Sequence, residues 1–122
     1  MPDFSKKSYN NLVTCHSNIQ AVMKKAIEII DFSVLCGYRD EVEQNRLEEA
    51  GKSQVRYPNS KHNIYPSMAI DIAPYPIDWK DITRFKNLAN LIKQIALMEG
   101  VAIEWGGDWK NFKDYPHYQI RA

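Results

Sequence analysis

The chain has 122 residues, 44% of them hydrophobic, and 16 basic against 15 acidic side chains leave a formal net charge of +1. That length suits one domain with a modest core, and the even charge argues against a phosphate backbone as the main ligand, since nucleic-acid binders carry a basic surplus or stripe. No apolar run is long enough to span a bilayer, and no repeat, low-complexity tract or Gly/Ser/Pro-rich linker divides residues 1–122, so a single domain is expected.

The first residues, Met1 to Lys7, continue into polar sequence rather than a signal-type apolar region, which predicts synthesis in the cytoplasm. Cys15 and Cys36 lack CxxC spacing and are expected to be reduced thiols. Ser17-Asn18-Ile19-Gln20 reads as a capping box, followed by an apolar stripe at Ile19, Val22, Met23, Ala26, Ile27 and Ile30. Phe32 to Cys36 reads as a short strand ending at Gly37-Tyr38-Arg39. Asp40 with Glu43 predicts the start of a charged helix that stops near Gly51. Residues 52–67, with Pro58, Asn59, Ser60 and Pro66, read as loop.

Met68 to Ile72 alternates, placing Met68, Ile70 and Ile72 on one face and Ala69 and Asp71 on the other. Pro74-Tyr75-Pro76 breaks this strand, and Asp78 and Asp81 introduce a third helix bearing Phe85, Leu88, Ala89, Ile92, Ile95 and Ala96 in register. Gly100 is placed to end it. Val101 to Trp105 and Tyr118 to Ile120 read as two final strands. Helices and strands do not alternate regularly, so the expected class is α+β, with an antiparallel sheet and about three helices.

Three histidines are few, and two of them have suggestive neighbours. His62 lies in the loop leading to the strand that carries Asp71, and His117 lies just before the last strand. Two imidazoles and one carboxylate make a ligand set for a catalytic zinc, which keeps a fourth position open to water. Their wide separation suits a site assembled across strands better than a zinc finger. Spacing alone leaves the alternative open that these are ordinary hydrogen-bonded histidines, with Asp71 in a structural salt bridge.

Ser60-Lys61-His62, Ala69-Ile70-Asp71 and Asp114-Tyr115-Pro116-His117 together resemble a group of zinc peptidases that includes D-Ala-D-Ala carboxypeptidases and phage L-alanyl-D-glutamate endolysins. The shared pattern is S-x-H-x-x-G-x-A-x-D with a distant acid-x-x-His. Gly37-Tyr38-Arg39, Glu43-Gln44-Asn45 and Trp105-Gly106-Gly107-Asp108-Trp109-Lys110 extend the resemblance over most of the chain. It implies a zinc site on the sheet, held by His62, Asp71 and His117. It further implies Asp114 as the proton-transferring acid/base, Arg39 as the group that polarises the scissile carbonyl, and Ser60 as a residue holding substrate or a ligand. Read without the resemblance, Asp114 is a turn cap and Arg39 a surface arginine beside Asp40 and Glu41.

Two departures stand out. Asp71 follows His62 by nine positions rather than the pattern's seven, and Ser67 replaces the usual Gly. Two extra residues preserve strand parity, so Asp71 still faces the metal if the insertion bulges in the loop. Asp114 stands where carboxypeptidase members often carry Glu, which points toward the endolysin branch.

The remaining features have blander readings. His16 beside Cys15 could be a nucleophile pair, but adjacent residues on an extended segment point apart. Trp79, Trp105 and Trp109 could line a sugar-binding groove, although Trp105 fits the core, and Glu104 alternates onto the site face. The resemblance implies hydrolysis of peptidoglycan, at the bond between L-Ala and D-Glu. The alternatives are D-Ala-D-Ala carboxypeptidase or dipeptidase action, and a non-catalytic zinc-containing wall-binding module. Expected partners are the peptidoglycan stem peptide alone, with no nucleic acid or membrane, for a monomer that reaches the wall after release from the cell, and the endolysin resemblance implies a phage origin.

Overall fold

A computed structural model describes residues 3–121. The first element, α1 (Lys6–Leu12), was not expected, because its sequence KKSYNNL has no apolar stripe. It places Leu12 in the core, and the rest of its contribution is polar. Ser8 Oγ accepts a hydrogen bond from Val34 N, and Asn11 Nδ2 donates to Val34 O, both at 2.9 Å. These bonds satisfy the free edge of the outermost strand, which would otherwise offer unpaired amides and carbonyls.

Helix α2 (Ser17–Ala26) starts one residue away from the expected cap. His16, not Ser17, is the N-cap: its Nδ1 accepts from Asn18 N at 3.0 Å, while Gln20 Nε2 donates to Cys15 O at 2.9 Å. The imidazole reaches the orphan amide that a serine hydroxyl commonly takes. This engagement also removes the Cys15–His16 nucleophile pair. Cys15 is buried, and that burial pushes its thiol up to about 12. Both cysteines are free.

Strand β1 (Phe32–Cys36), β2 (Ala69–Pro74), β3 (Ile103–Trp105) and β4 (His117–Ile120) form one antiparallel sheet in the order β1-β2-β4-β3. Strand β2 runs past Ile72 to Pro74, and β4 begins at His117 itself rather than after it. The alternation of Met68 to Ile72 survives: Ile70 and Ile72 turn into the core with Val34, Tyr118 and Trp105. Helix α2 and helix α4 (Ile82–Glu99) cover that face with Ile19, Val22, Leu88 and Ile92. Each such fully buried side chain contributes about 1.5–3 kcal/mol relative to exposure. Asp81 caps α4 by accepting from Arg84 N, and Gly100, at φ 72°, closes it in the left-handed conformation.

The other sheet face carries Asp71, His117, Gln119 and Glu104 and is covered only by loops and by helix α3 (Glu41–Glu49). Asp40 caps α3 as expected, accepting from Glu43 N. The only buried residue of α3 is Gln44. Its Oε1 accepts from Arg39 Nη1 at 2.9 Å and from Asn63 Nδ2 at 3.3 Å, and its Nε2 donates to Ser53 Oγ and Val55 O at 2.9 and 2.7 Å. Gln44 is thus the buried link between a charged helix and a polar loop, with Asn45 Oδ1 accepting from Tyr57 N and Arg56 pairing with Glu48 and Glu49 on the outside.

That link generates a stability prediction. Gln44→Ala removes four part-buried hydrogen bonds, each worth about 0.5–1.5 kcal/mol net. A urea titration is expected to show a clearly lower midpoint with an unaltered m-value.

Candidate metal centre and cleft

Three elements place the three expected ligands. Asp71 and His117 sit directly opposite each other on β2 and β4. His62 lies in a short 3-10 helix, Lys61–Asn63, that the loop folds over the sheet. Ser60 caps that helix: its Oγ accepts from His62 N at 3.2 Å, so it supports the histidine through the backbone. Arg39 N donates to His62 O at 2.8 Å, and Asn63 Nδ2 donates to Arg39 O at 3.0 Å, locking the Gly37-Tyr38-Arg39 segment against the loop. Gly37 has no room for a side chain, since an added Cβ would stand 2.2 Å from Thr14 Oγ1. The two extra residues are absorbed in the loop, where Ile64 and Tyr65 reach solvent. Ser67 is buried, and its Oγ donates to Ala69 O at 2.6 Å.

The donor atoms form a nearly equilateral triangle. His62 Nε2 lies 3.3 Å from Asp71 Oδ1 and 3.3 Å from His117 Nδ1, which is 3.2 Å from Asp71 Oδ1. A tetrahedral zinc site with ligand bonds near ~2.0–2.1 Å has donor–donor edges of about 3.3 Å. The outer ring nitrogens are committed elsewhere. His62 Nδ1 is 2.7 Å from Gly37 O, and His117 Nε2 is 2.8 Å from Gln119 Oε1, so each ring in its neutral form donates its proton outward and turns a lone pair inward. Two inward lone pairs and a carboxylate oxygen fit a divalent ion. Cys36 Sγ is a neighbouring donor, within 4.8 Å of the His62 and Asp71 donor atoms, with Arg39 Nη2 3.6 Å from it. A bulge at Leu35, where the register skips from Val34↔Ile72 to Cys36↔Asp71, brings the thiol to this face.

The electrostatics of the ion-free cluster follow from this crowding. Burial lowers the His62 pKa, but the Asp71 carboxylate outweighs it and raises the ring to about 10. Burial raises Asp71, and the two imidazoles overcome that to hold it well below the usual carboxylate range. Arg39 is not a surface arginine. Its guanidinium, 10% exposed, places Nη2 3.2 Å from Asp71 Oδ2 and leaves Nε buried without a partner.

Asp114 occupies the turn before β4. Its Oδ2 stands 4.0 Å from His117 Nδ1, while its backbone N donates to Gly106 O at 3.0 Å and its backbone O accepts from His117 N at 3.2 Å. Gly106 permits this approach, since a Cβ there would lie 2.4 Å from Asp114 O. Burial, and then the Asp71 carboxylate, raise the Asp114 pKa. Arg39, Ser60, His62, Asp71, Asp114 and His117 all line one cleft of about 580 Å3.

Two residues of this site were not singled out as such from sequence. Gln119 lies two positions after His117, and period-two alternation alone puts both on one face. Trp109 packs its ring 5.2 Å from that of His117 and donates from Nε1 to Glu104 Oε2 at 2.5 Å. Glu104 thus reaches the site face as expected, in the service of Trp109. Trp105 is buried in the core.

Comparison with known proteins places this geometry in context. The family described as phage L-alanyl-D-glutamate peptidase matches residues 2–121. The L-alanyl-D-glutamate peptidase of Escherichia phage T5 is 30% identical over 123 residues, covering 97% of this chain and 88% of that protein. The peptidoglycan L-alanyl-D-glutamate endopeptidase CwlK of Bacillus subtilis is 31% identical over 104 residues, or 75% of this chain and 61% of CwlK. The crystal structure of the Serratia marcescens L-Ala D-Glu endopeptidase ChiX superposes with a TM-score of 0.84 at 30% identity, covering 97% of this chain and 89% of that one.

Two predictions test the centre. With its pKa near 10, His62 is an imidazolium at pH 7 in the metal-free protein, and zinc can bind only the neutral ring. Calorimetric titration with zinc in two buffers of different ionisation enthalpy should therefore show proton release on binding, with affinity rising as pH rises through the neutral range. Gln119→Leu removes the acceptor that fixes the His117 tautomer and should weaken zinc binding about 10–100-fold against a competing chelator, with Gln119→Glu recovering much of it.

Proposed function

We propose, since this chain belongs to the phage L-alanyl-D-glutamate peptidase family, that it is a zinc-dependent endopeptidase cutting the L-alanyl-D-glutamate bond of peptidoglycan. The observation that carries the metal part of this reading is the 3.2–3.3 Å triangle of inward-facing donors at His62, Asp71 and His117. The bond assignment rests on relatives named for that activity, one of them matching nearly the whole chain. A bound zinc ion supplies Lewis acidity and lowers the pKa of a water ligand to about 7.

The protein's own groups do the rest. Asp114, beside His117 and free of backbone capping, takes the proton of the attacking water and returns it to the departing D-glutamyl amine. Its raised pKa favours the proton-holding form that the second half of this exchange requires. Arg39 stabilises charge developing on the scissile carbonyl oxygen; its permanent charge and planar donors suit that task, and Gln44 and Asp71 fix its orientation. Ser60 keeps the His62 turn in place. Among the described residues, no helix is long and apolar enough to cross a membrane.

The decisive experiment is mass spectrometry of purified peptidoglycan digested by the zinc-loaded protein, with a chelated control. New amino-terminal D-Glu on released stem peptides, lost with chelator, is the expected result; free D-Ala would indicate carboxypeptidase action instead. Asp114→Ala is expected to lower the cleavage rate about 10²–10⁴-fold while retaining zinc. Unchanged cleavage by that variant would remove Asp114 from the mechanism.

A further inference from the structure

The cleft has two chemically different ends. Antiparallel pairing puts the chain leaving β2 and the chain leaving β3 at the same end of the sheet as the start of β4. From that end Trp79, Trp109 and Phe112 line the cleft. Trp79 is 55% exposed and Phe112 41% exposed. Trp79 is nonetheless fixed, stacked on Phe85 with ring centroids 5.7 Å apart and planes 21° apart. Trp109 is held by its bond to Glu104. Two anchored indole rings with exposed Phe112 beside them offer apolar area that an occupant of the cleft would bury.

The opposite part of the cleft carries the basic side chains, among polar ones and the apolar Leu47 and Val55. Lys52, Ser53, Gln54, Asn59 and Lys61 line it, and with Arg39 they supply every cationic side chain that faces the cleft. Lys61 belongs to the far end of the sheet, since its Nζ donates to Ile120 O.

The proposed substrate has matching asymmetry. On one side of the scissile amide is D-Glu, whose free carboxylate lies next to the leaving nitrogen. On the other is L-Ala, whose nitrogen is acylated by the lactyl arm of a muramic sugar. One residue step is about 3.8 Å, so the sugar cannot avoid the walls of a cleft that holds the scissile bond over the metal centre. The carboxylate side belongs with the lysines. The sugar side is left with the tryptophans.

We propose that Trp79, Trp109 and Phe112 form a subsite that stacks against the pyranose ring carrying the stem peptide, so that the enzyme selects glycan-linked peptides over free ones. This inference rests on the endopeptidase reading above and adds the glycan as a recognised part of the substrate. Trp79 and Phe112 are specificity-determining residues, remote from proton transfer, whereas Trp109 also supports His117.

The test compares two synthetic substrates, an N-acetylmuramyl-L-Ala-γ-D-Glu-L-Lys peptide and the same peptide with an N-acetyl group in place of the muramyl group. The unaltered, zinc-loaded protein should show kcat/KM higher for the muramyl substrate by about tenfold, equivalent to about 1.4 kcal/mol, the scale of one good aromatic contact. Trp79→Ala should bring the ratio of the two values close to one, Phe112→Ala should lower it, and Trp79→Phe should keep most of it. Thermal unfolding confirms that each variant is folded. A ratio near one in the unaltered protein, or a ratio that Trp79→Ala leaves intact, overturns the subsite while the endopeptidase reading stands. Cleavage of neither substrate by the unaltered protein overturns both.

Discussion

Three electron-rich atoms pointed at one another within 3.3 Å are an unstable arrangement unless a positive charge sits among them, and the fold is organised to impose that arrangement. Each imidazole could relieve the repulsion by presenting an N–H inward. Gly37 O and Gln119 Oε1 hold the outer nitrogens as donors, so an inward N–H needs a second proton on the ring, as on His62 in the ion-free state. In the ion-free state the needed charge is a proton on His62 and the guanidinium of Arg39 against Asp71. The same vicinity therefore accepts a cation by exchange rather than by rearrangement. Such a cluster is costly to bury on its own account, since desolvated charges gain little net stability from one another.

A single sheet serves both the core and this cluster. Period-two alternation sends Ile70, Ile72 and Tyr118 into the apolar layer beneath α2 and α4, and sends Asp71, His117 and Gln119 upward. Register is consequently strict: a slip of one residue would exchange the apolar face for the donor set. The bulge at Leu35 is the one place where the pairing breaks. It turns Cys36 toward the site and lets the chain enter Gly37-Tyr38-Arg39, from which Arg39 reaches Asp71.

Much of this was legible from residue order. The alternation in Met68 to Ile72, the Asp40 and Asp81 caps, and the stop at Gly100 each have a local cause and appear near the expected positions. Parity correctly anticipated that a two-residue insertion before Asp71 would leave its face unchanged. Illegible were features whose cause lies in a distant partner. Nothing in KKSYNNL announces a helix, because its two key side chains act on Val34 of another element. His16 caps α2 with a ring nitrogen, a role that composition rules assign to Ser17. Gln44 looks like one polar residue among many in a charged helix until the loop folds over it.

The layer above the sheet is held differently from the layer below it. Below, apolar burial suffices, and any well-packed side chain would serve. Above, the cover is an exposed charged helix and a loop with few apolar contacts, held by directional polar bonds: Gln44 to Ser53 and Val55, Asn63 to Arg39, Ser60 to His62. Directional bonds fix angles as well as distances, which apolar contacts do not. A donor triangle that must match ion geometry to within a few tenths of an ångström requires that kind of support. The polarity of α3 and of residues 52–59, which the sequence marks only as a charged helix and a loop, is therefore the consequence of building the third ligand on a loop instead of a strand.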